Sequence, residues 1–342
     1  YKARLAADYK ETYEGRFELY ILFLGLGTSL LNENGGKLGF IVPAKFLVTE
    51  NGGKLRQYIL NRAAIKEVVD VSQSSVFKDA GNYPVIIMFS REEDAKVRDS
   101  NQTRIIRWLN ESISGLSQEA QSGRESGQAY QSYYIRQGRF AGNFDRVFDI
   151  GNSEDSYNLC QRMAIGCAKL SEICEIHNGI ITGKQAESDA ARLKNIVVAS
   201  DVATLPPEKA RLCKKVLARG ESIPGRYSLT WQEEYIIYMP DELAAPREPS
   251  WFEIQKLIIR DIGLRLTATY DQEGFYCLQN LNIMLLKDPN YELKYILALI
   301  NSRILDFYYK SSFGMLHIGS NYMRYRARWL DNLPIKPAPA AK

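Results

Sequence analysis

Cations recur beside aromatic residues in the last third of the chain. Arg324, Arg326 and Arg328 alternate across Tyr322 to Trp329. In an extended backbone they line one face, because successive strand side chains point to opposite sides. Arg260 and Arg265 flank Gly263, and Lys184 follows a Thr182-Gly183 turn whose backbone amides could meet the same anion. Such groups suit phosphate oxygens. The plainer reading of the same residues is a solvated basic face.

Other chemistry is thinly represented. The two histidines, His177 and His317, are isolated, which disfavours histidine acid–base chemistry or a histidine-rich metal site. The five cysteines include no C-x-x-C pair and are too sparse for a disulfide-stapled domain, so they read as core residues of a protein in a reducing, cytoplasmic setting. No metal site is expected. A net charge of +4 permits an acidic partner such as nucleic acid without requiring one. No apolar run approaches the roughly 20 residues of a membrane span. The chain opens on Tyr1 rather than methionine, which suggests a piece of something longer.

The elements that must position these groups follow from periodicity. From Phe17 the residues Tyr20, Phe23, Leu24, Gly27, Leu30 and Leu31 recur at helical spacing, with Gly35-Gly36 as the permissive stop. Leu38 to Val42 is almost continuously apolar, the pattern of an interior strand covered on both faces, and Pro43 ends it. A short helix within Gly52 to Leu60 leads to a β-branched strand, Ile65 to Val71, expected to pair with Leu38–Val42. The next strand, Pro84 to Phe89, should turn back on Ile65–Val71 as an antiparallel hairpin. Ser112 to Gly127 is rich in Ser, Gly, Gln and Glu and reads as a surface excursion. Beyond Leu170 come strands at Tyr235–Met239, Leu257–Arg260 and Asn282–Leu286, then one helix from Leu293 to Tyr309. Residues 338–342 read as a disordered tail.

Taken in order, four stretches resemble the gamma-class N6-adenine DNA methyltransferases of type II and type IIG restriction-modification systems, in their C-terminal half with a TaqI-type specificity domain. Phe17-Glu-Leu-Tyr-Ile-Leu-Phe-Leu24 with Gly35-Gly-Lys-Leu-Gly-Phe-Ile-Val-Pro43 is similar to the helix and strand that follow the catalytic strand. Ile65–Val71 and Val76-Phe77 to Phe89 resemble the strands that close the same sheet. Ile180-Ile-Thr-Gly183 resembles the opening of the specificity domain. Ile259-Arg-Asp-Ile-Gly-Leu-Arg265, Ala298-Leu-Ile-Asn-Ser302 and Leu333-Pro334-Ile335 resemble its later landmarks.

The resemblance implies an α/β fold: the second half of a Rossmann-like, S-adenosyl-L-methionine-dependent methyltransferase sheet (1–105), a linker with a helix (106–168), and a mixed α+β DNA target recognition domain (169–337). The family's Asn/Asp-Pro-Pro-Tyr motif and glycine-bearing cofactor loop do not occur here. No catalytic residue is therefore assigned to this fragment, and the remainder of its own chain, with or without a nuclease domain, is an expected partner. Phe77 matches the position that stacks on the extruded target base. Phe23 matches the aromatic against the cofactor's adenine, and Pro43 lies at a strand's carboxyl end, where open sheets bind ligands. Lys184, Arg219, Arg260, Arg265, Arg324, Arg326 and Arg328 are the implied contacts to double-stranded DNA. Around Arg219 the family reads Gly-Arg-Asp-Ile where this chain has Ala-Arg-Gly-Glu-Ser-Ile, which leaves Arg219 in question. A non-catalytic specificity module working beside a separate methyltransferase subunit is the competing reading, and an RNA or protein methyltransferase is a third.

Overall fold

A computed structural model of the chain describes residues 2–15, 18–74, 83–121, 127, 129–183, 195–313 and 322–337. The chain divides into two compact units, residues 1–159 with 311–316, and residues 160–310 with 317–342.

The first unit is built on a five-stranded mixed sheet in the order β1-β3-β2-β4-β5. Its strands are β1 (Lys37–Pro43), β2 (Ala63–Asp70), β3 (Pro84–Arg91), β4 (Gln102–Trp108) and β5 (Tyr130–Arg136). The hairpin of β2 with β3 is antiparallel, as the short connection predicts. The pairing expected between β1 and β2 does not form: β3 lies between them and pairs β1 from Lys37↔Ser90 to Pro43↔Pro84. With β3 antiparallel to both, β1 and β2 run the same way, so the crossover through the helix Gly53–Arg62 stands with a third strand inserted into it.

Three expectations for this unit need correction. Strand β1 is not covered on both faces by the described residues, since Ile41 is 43% exposed. The helix preceding it, Leu19–Ser29, stops well before Gly35. Thr28 and Ser29 turn their hydroxyls back onto the carbonyls of Leu24 and Leu26, each at 2.7 Å, and an Asn32 side-chain turn follows. Gly35, at φ +83°, serves that loop rather than the helix end. Finally, the stretch 106–168 is not a mere linker. Strand β4 runs parallel to β2 and β5 antiparallel to β4, and Ile106, Trp108 and Tyr130 join Val69 and Val71 in one buried cluster. Their apolar side chains bracket the polar Ser112–Gly127 segment, whose composition masks the sheet it interrupts.

In the second unit a four-stranded sheet, order β13-β11-β15-β7, uses β7 (Cys174–Asn178), β11 (Lys256–Arg260), β13 (Ala268–Asp271) and β15 (Leu281–Leu286). Another, order β14-β9-β10-β8, uses β8 (Ile196–Val198), β9 (Cys213–Leu217), β10 (Glu234–Ile237) and β14 (Tyr276–Cys277). Two short pairs complete it: β12 (Ile262–Gly263) with β16 (Met323–Arg324), and β17 (Pro334–Ile335) with β6 (Ala168–Lys169). Val216, Ile236, Phe252, Ile258, Tyr276 and Ile283 belong to one core contributed by both large sheets. The chain passes so tightly at Gly179 that a Cβ there would lie 2.2 Å from the Leu278 carbonyl oxygen. Ile180 then bridges to Leu278 and buries completely.

The expected helix from Leu293 to Tyr309 is two helices, Leu293–Ile300 and Arg303–Phe313. The break serves Asn301, which is 2% exposed and turns away from the helix axis to bond the backbone of β13. All five cysteines are free thiols, and burial pushes those of Cys174 and Cys277 up to about 12, so neither is a ready nucleophile. Among the described residues no helix is long and apolar enough to cross a membrane, and no cluster of His, Cys, Asp or Glu could hold a metal ion.

Candidate nucleic-acid interface

In the second unit the arginine-bearing segment after β11 is held from behind by helix side chains. Asn301 accepts a hydrogen bond from the Ala268 N–H at 2.9 Å and donates one to the Ala268 carbonyl at 3.0 Å. Asp306 accepts from the Leu266 N–H at 2.7 Å and from the Tyr325 hydroxyl at 3.4 Å. These bonds fix the path from Arg260 to Ala268 and therefore the places from which Arg260 and Arg265 project. Arg265 is exposed in the turn between β12 and β13.

Arg324 sits opposite Ile262 and places its Nε 3.0 Å from a carboxylate oxygen of Asp261. Arg260 approaches the Gly220 turn, where a Cβ would meet its Nε and Nη2 at 3.7 Å, and its Nη1 is 3.5 Å from the Ile223 carbonyl. Arg219, the residue before Gly220, projects with 55% of its side chain exposed and pairs through Nη2 with Glu234 Oε1 at 3.3 Å. The fold thus gathers Arg219 and Arg260 at the Gly220 turn, and Arg260 and Arg324 on either side of Asp261. Distance along the chain concealed this: Arg219, Arg260 and Arg324 come from three separate segments.

Arg324, Arg326 and Arg328 do not line one face of a strand. The alternation holds through Met323 and Tyr325, both buried, with Arg324 half-buried and Arg326 exposed between and beyond them. Strand β16 is only two residues long, and a helical turn, Ala327–Leu330, begins after Arg326. Trp329 and Leu330 need that turn to reach the core, where they are 3% and 0% exposed. Arg328 is consequently carried round on a helix. Lys184 and Phe77 lie outside the described residues.

In the first unit Phe23 is 59% exposed and is not a core residue. It stands on the Leu19–Ser29 helix in a row with exposed Leu19, Leu26 and Leu30, while Ile21, Leu22 and Leu24 bury. Pro43 ends β1, and the pairing carries one residue further because the Ala44 N–H still reaches the Tyr83 carbonyl at 2.7 Å. Lys45 reaches Glu18 at 3.9 Å and Phe46 packs edge-on against Tyr20, so the carboxyl end of β1 lies beside the start of the Phe23 helix. The turn after Pro43 is locked by buried Arg56, which donates to the carbonyls of Phe46 at 2.6 Å and Thr49 at 2.7 Å and pairs with Asp145 at 2.9 Å.

Sequence reasoning passes over Asp261 and Glu234, the carboxylates that orient arginines, and Asp306; it reads Asn301 as a cap or support of its own helix, whereas the side chain holds β13. Asp261 stands inside the Ile259–Arg265 stretch, and that position was the available signal. Glu234 carried none, because its partner lies in a different segment.

Residues 1–77 match the Eco57I restriction-modification methylase family, and residues 215–335 match the TaqI-like C-terminal specificity domain. The type II methyltransferase M.PaeR7I of Pseudomonas aeruginosa is 26% identical over 186 residues, covering 53% of this chain and 31% of that protein. The type II restriction enzyme and methyltransferase RM.Eco57I of Escherichia coli is 29% identical over 84 residues, covering 25% of this chain and 8% of that protein. The chain therefore spans less than a third of the length of either relative in these matches. Among solved structures, the type IIL restriction-modification enzyme MmeI, determined in complex with DNA, superimposes with a TM-score of 0.50 at 10% identity. That match covers 92% of this chain and 40% of MmeI, and shows a shared fold.

Proposed function

We propose that this chain, whose opening segment belongs to the Eco57I restriction-modification methylases and whose residues 215–335 belong to the TaqI-like specificity domains, is the C-terminal part of a site-specific adenine-N6 DNA methyltransferase. The observation that carries the reading is that both segments occur in one chain, methylase first. Its first unit is then the closing half of a methyltransferase sheet. In support of this, β1 has no partner on its outer edge among the described residues, where the catalytic strand would pair.

S-adenosyl-L-methionine would supply the methyl group. The residues present fit a supporting role toward it. Phe23 is an exposed aromatic on a helix whose start adjoins the carboxyl end of β1, where Pro43 stands and where open sheets receive ligands. Phe77 is proposed to stack on the extruded adenine, which must leave the duplex before its amino group can be reached.

The second unit selects the DNA sequence in this reading. Exposed Arg265 and Arg326, with Lys184, meet phosphates, while groups with carboxylate partners, Arg219 and Arg324, are oriented toward the grooves. Arg260 and Arg328 complete the basic surface. The test is methylation mapping of DNA from a host expressing the full-length protein. One N6-methyladenine per recognition sequence is expected. DNA without methylated adenine, bound by the same protein in a sequence-specific way, would instead identify a specificity module.

A further inference from the structure

We infer that Arg219 reads a guanine and that Glu234 is the positioning residue that aims it; this rests on the second unit being the DNA-selecting domain. The two side chains form a half-buried pair of unusual shape. Arg219 is 55% exposed, whereas the Glu234 side chain is only 10% exposed. One Glu234 oxygen holds the Arg219 Nη2, and the other, Oε2, is buried without a hydrogen-bond partner among the described residues. Withdrawing a carboxylate from water for a single contact is costly, and a buried acceptor left over in this way calls for an explanation such as a role in positioning its partner.

The backbone around the pair is strained as well as tied down. Glu233 at φ 57° and Tyr227 at φ 65° both occupy the left-handed region, which residues other than glycine rarely adopt. The loop is held there by bonds from Ser222 to Gln232, from Thr230 to the Ser222 carbonyl, and from the Trp231 indole to the Glu234 carbonyl. On the other side, Arg260 packs against the Gly220 turn that carries Arg219. Held in this way, the guanidinium loses less freedom on binding than a free arginine would. Its charge is partly cancelled by Glu234, which makes it a poor phosphate clamp and leaves direction as its contribution. A fork with two free N–H groups matches the O6 and N7 acceptors on the major-groove edge of guanine.

The experiment uses the full-length protein and a duplex carrying its recognition sequence, with every base pair substituted in turn. Arg219→Lys keeps the charge and the Glu234 pair but loses the fork. It should reduce discrimination at one G·C pair by about 5- to 150-fold, leaving other positions and the salt dependence unchanged. Replacing that guanine with 7-deazaguanine, which lacks the N7 acceptor, should weaken the wild type more than Arg219→Lys, whose single ammonium makes a less directional contact. Glu234→Gln should lose part of the discrimination at the same pair, with melting temperature checked to separate misfolding from misreading. A uniform loss across all sequences, or equal sensitivity of wild type and Arg219→Lys to 7-deazaguanine, would overturn the assignment while leaving the DNA-selecting role intact. A wild type with no sequence preference would overturn that role, and this assignment with it.

Discussion

Replacing Asn301 with Ala removes two buried hydrogen bonds that hold β13, and the two losses are unequal. The Ala268 N–H has Asn301 Oδ1 as its partner at 2.9 Å, and Ala268 is fully buried, so the substitution orphans a donor away from water. An orphaned buried group costs about 1–3 kcal/mol. The Ala268 carbonyl also accepts from the Tyr227 N–H at 3.0 Å, so it keeps one partner and loses only a net bond worth about 0.5–1.5 kcal/mol. Together the loss should be about 2–4 kcal/mol, large against the usual 5–15 kcal/mol stability of a domain. Urea denaturation followed by tryptophan fluorescence measures it, with an unchanged slope expected if only the folded state is affected. The same variant, assayed where it remains folded, should bind DNA with weakened sequence preference, because Arg260, Arg265 and the Tyr227 loop all hang on this backbone. Asn301→Asp keeps the acceptor and removes the donor, so it should cost stability through the Ala268 carbonyl rather than through its N–H. A loss below about 0.5 kcal/mol for Asn301→Ala would refute the reasoning, since water would then be satisfying a site taken to be dry.

Arg56→Met should destabilise the first unit by about 3–5 kcal/mol, because Arg56 is fully buried and the Asp145 carboxylate and the carbonyls of Phe46, Thr49 and Asp145 lose their donor; thermal melting reads this, and a shift of under a degree would contradict it. Arg326→Ala should lower the slope of log binding constant against log salt by about 1, since an exposed cation that meets phosphate releases one counterion; an unchanged slope would remove Arg326 from the interface. Burial raises the Glu67 carboxyl above its ordinary value, with Arg104 opposing. The folded state therefore holds that proton more tightly, and its contribution to stability is present below the ordinary carboxylate range and fades as pH rises through the folded value. Glu67→Gln should accordingly compare less well with the wild type at about pH 4 than at pH 7 in denaturant titrations; a pH-independent difference would show no such linkage. On the proposed reading residues 1–342 alone should show no useful affinity for S-adenosyl-L-methionine by calorimetry, and tight binding would be incompatible with the proposed division.

Local signals alone determined a good deal here. Apolar runs and the short link between Ile65–Val71 and Pro84–Phe89 announced the hairpin of β2 and β3, and β11 and β15 lie where the apolar stretches Leu257–Arg260 and Asn282–Leu286 were read as strands. Helical periodicity found the Phe23 helix, though its end was set by hydroxyls at Thr28 and Ser29 instead of the glycines. What tertiary structure decided was adjacency. Which strands become neighbours is set by packing between segments far apart in the chain, and nothing in Leu38–Val42 records that β3 rather than β2 would pair with it. Strands β4 and β5 were hidden for the same reason, since a polar insertion separates two apolar halves that meet only in the sheet. The arginine at 324 was legible as a cation, but its bond to Asp261 required two segments to be brought together, and Trp329 and Leu330, by seeking the core, bent the expected row of arginines into a helix. Composition and spacing could thus name the kinds of group this protein presents, whereas their orientation waited on contacts between residues far apart in the chain, which local periodicity does not encode.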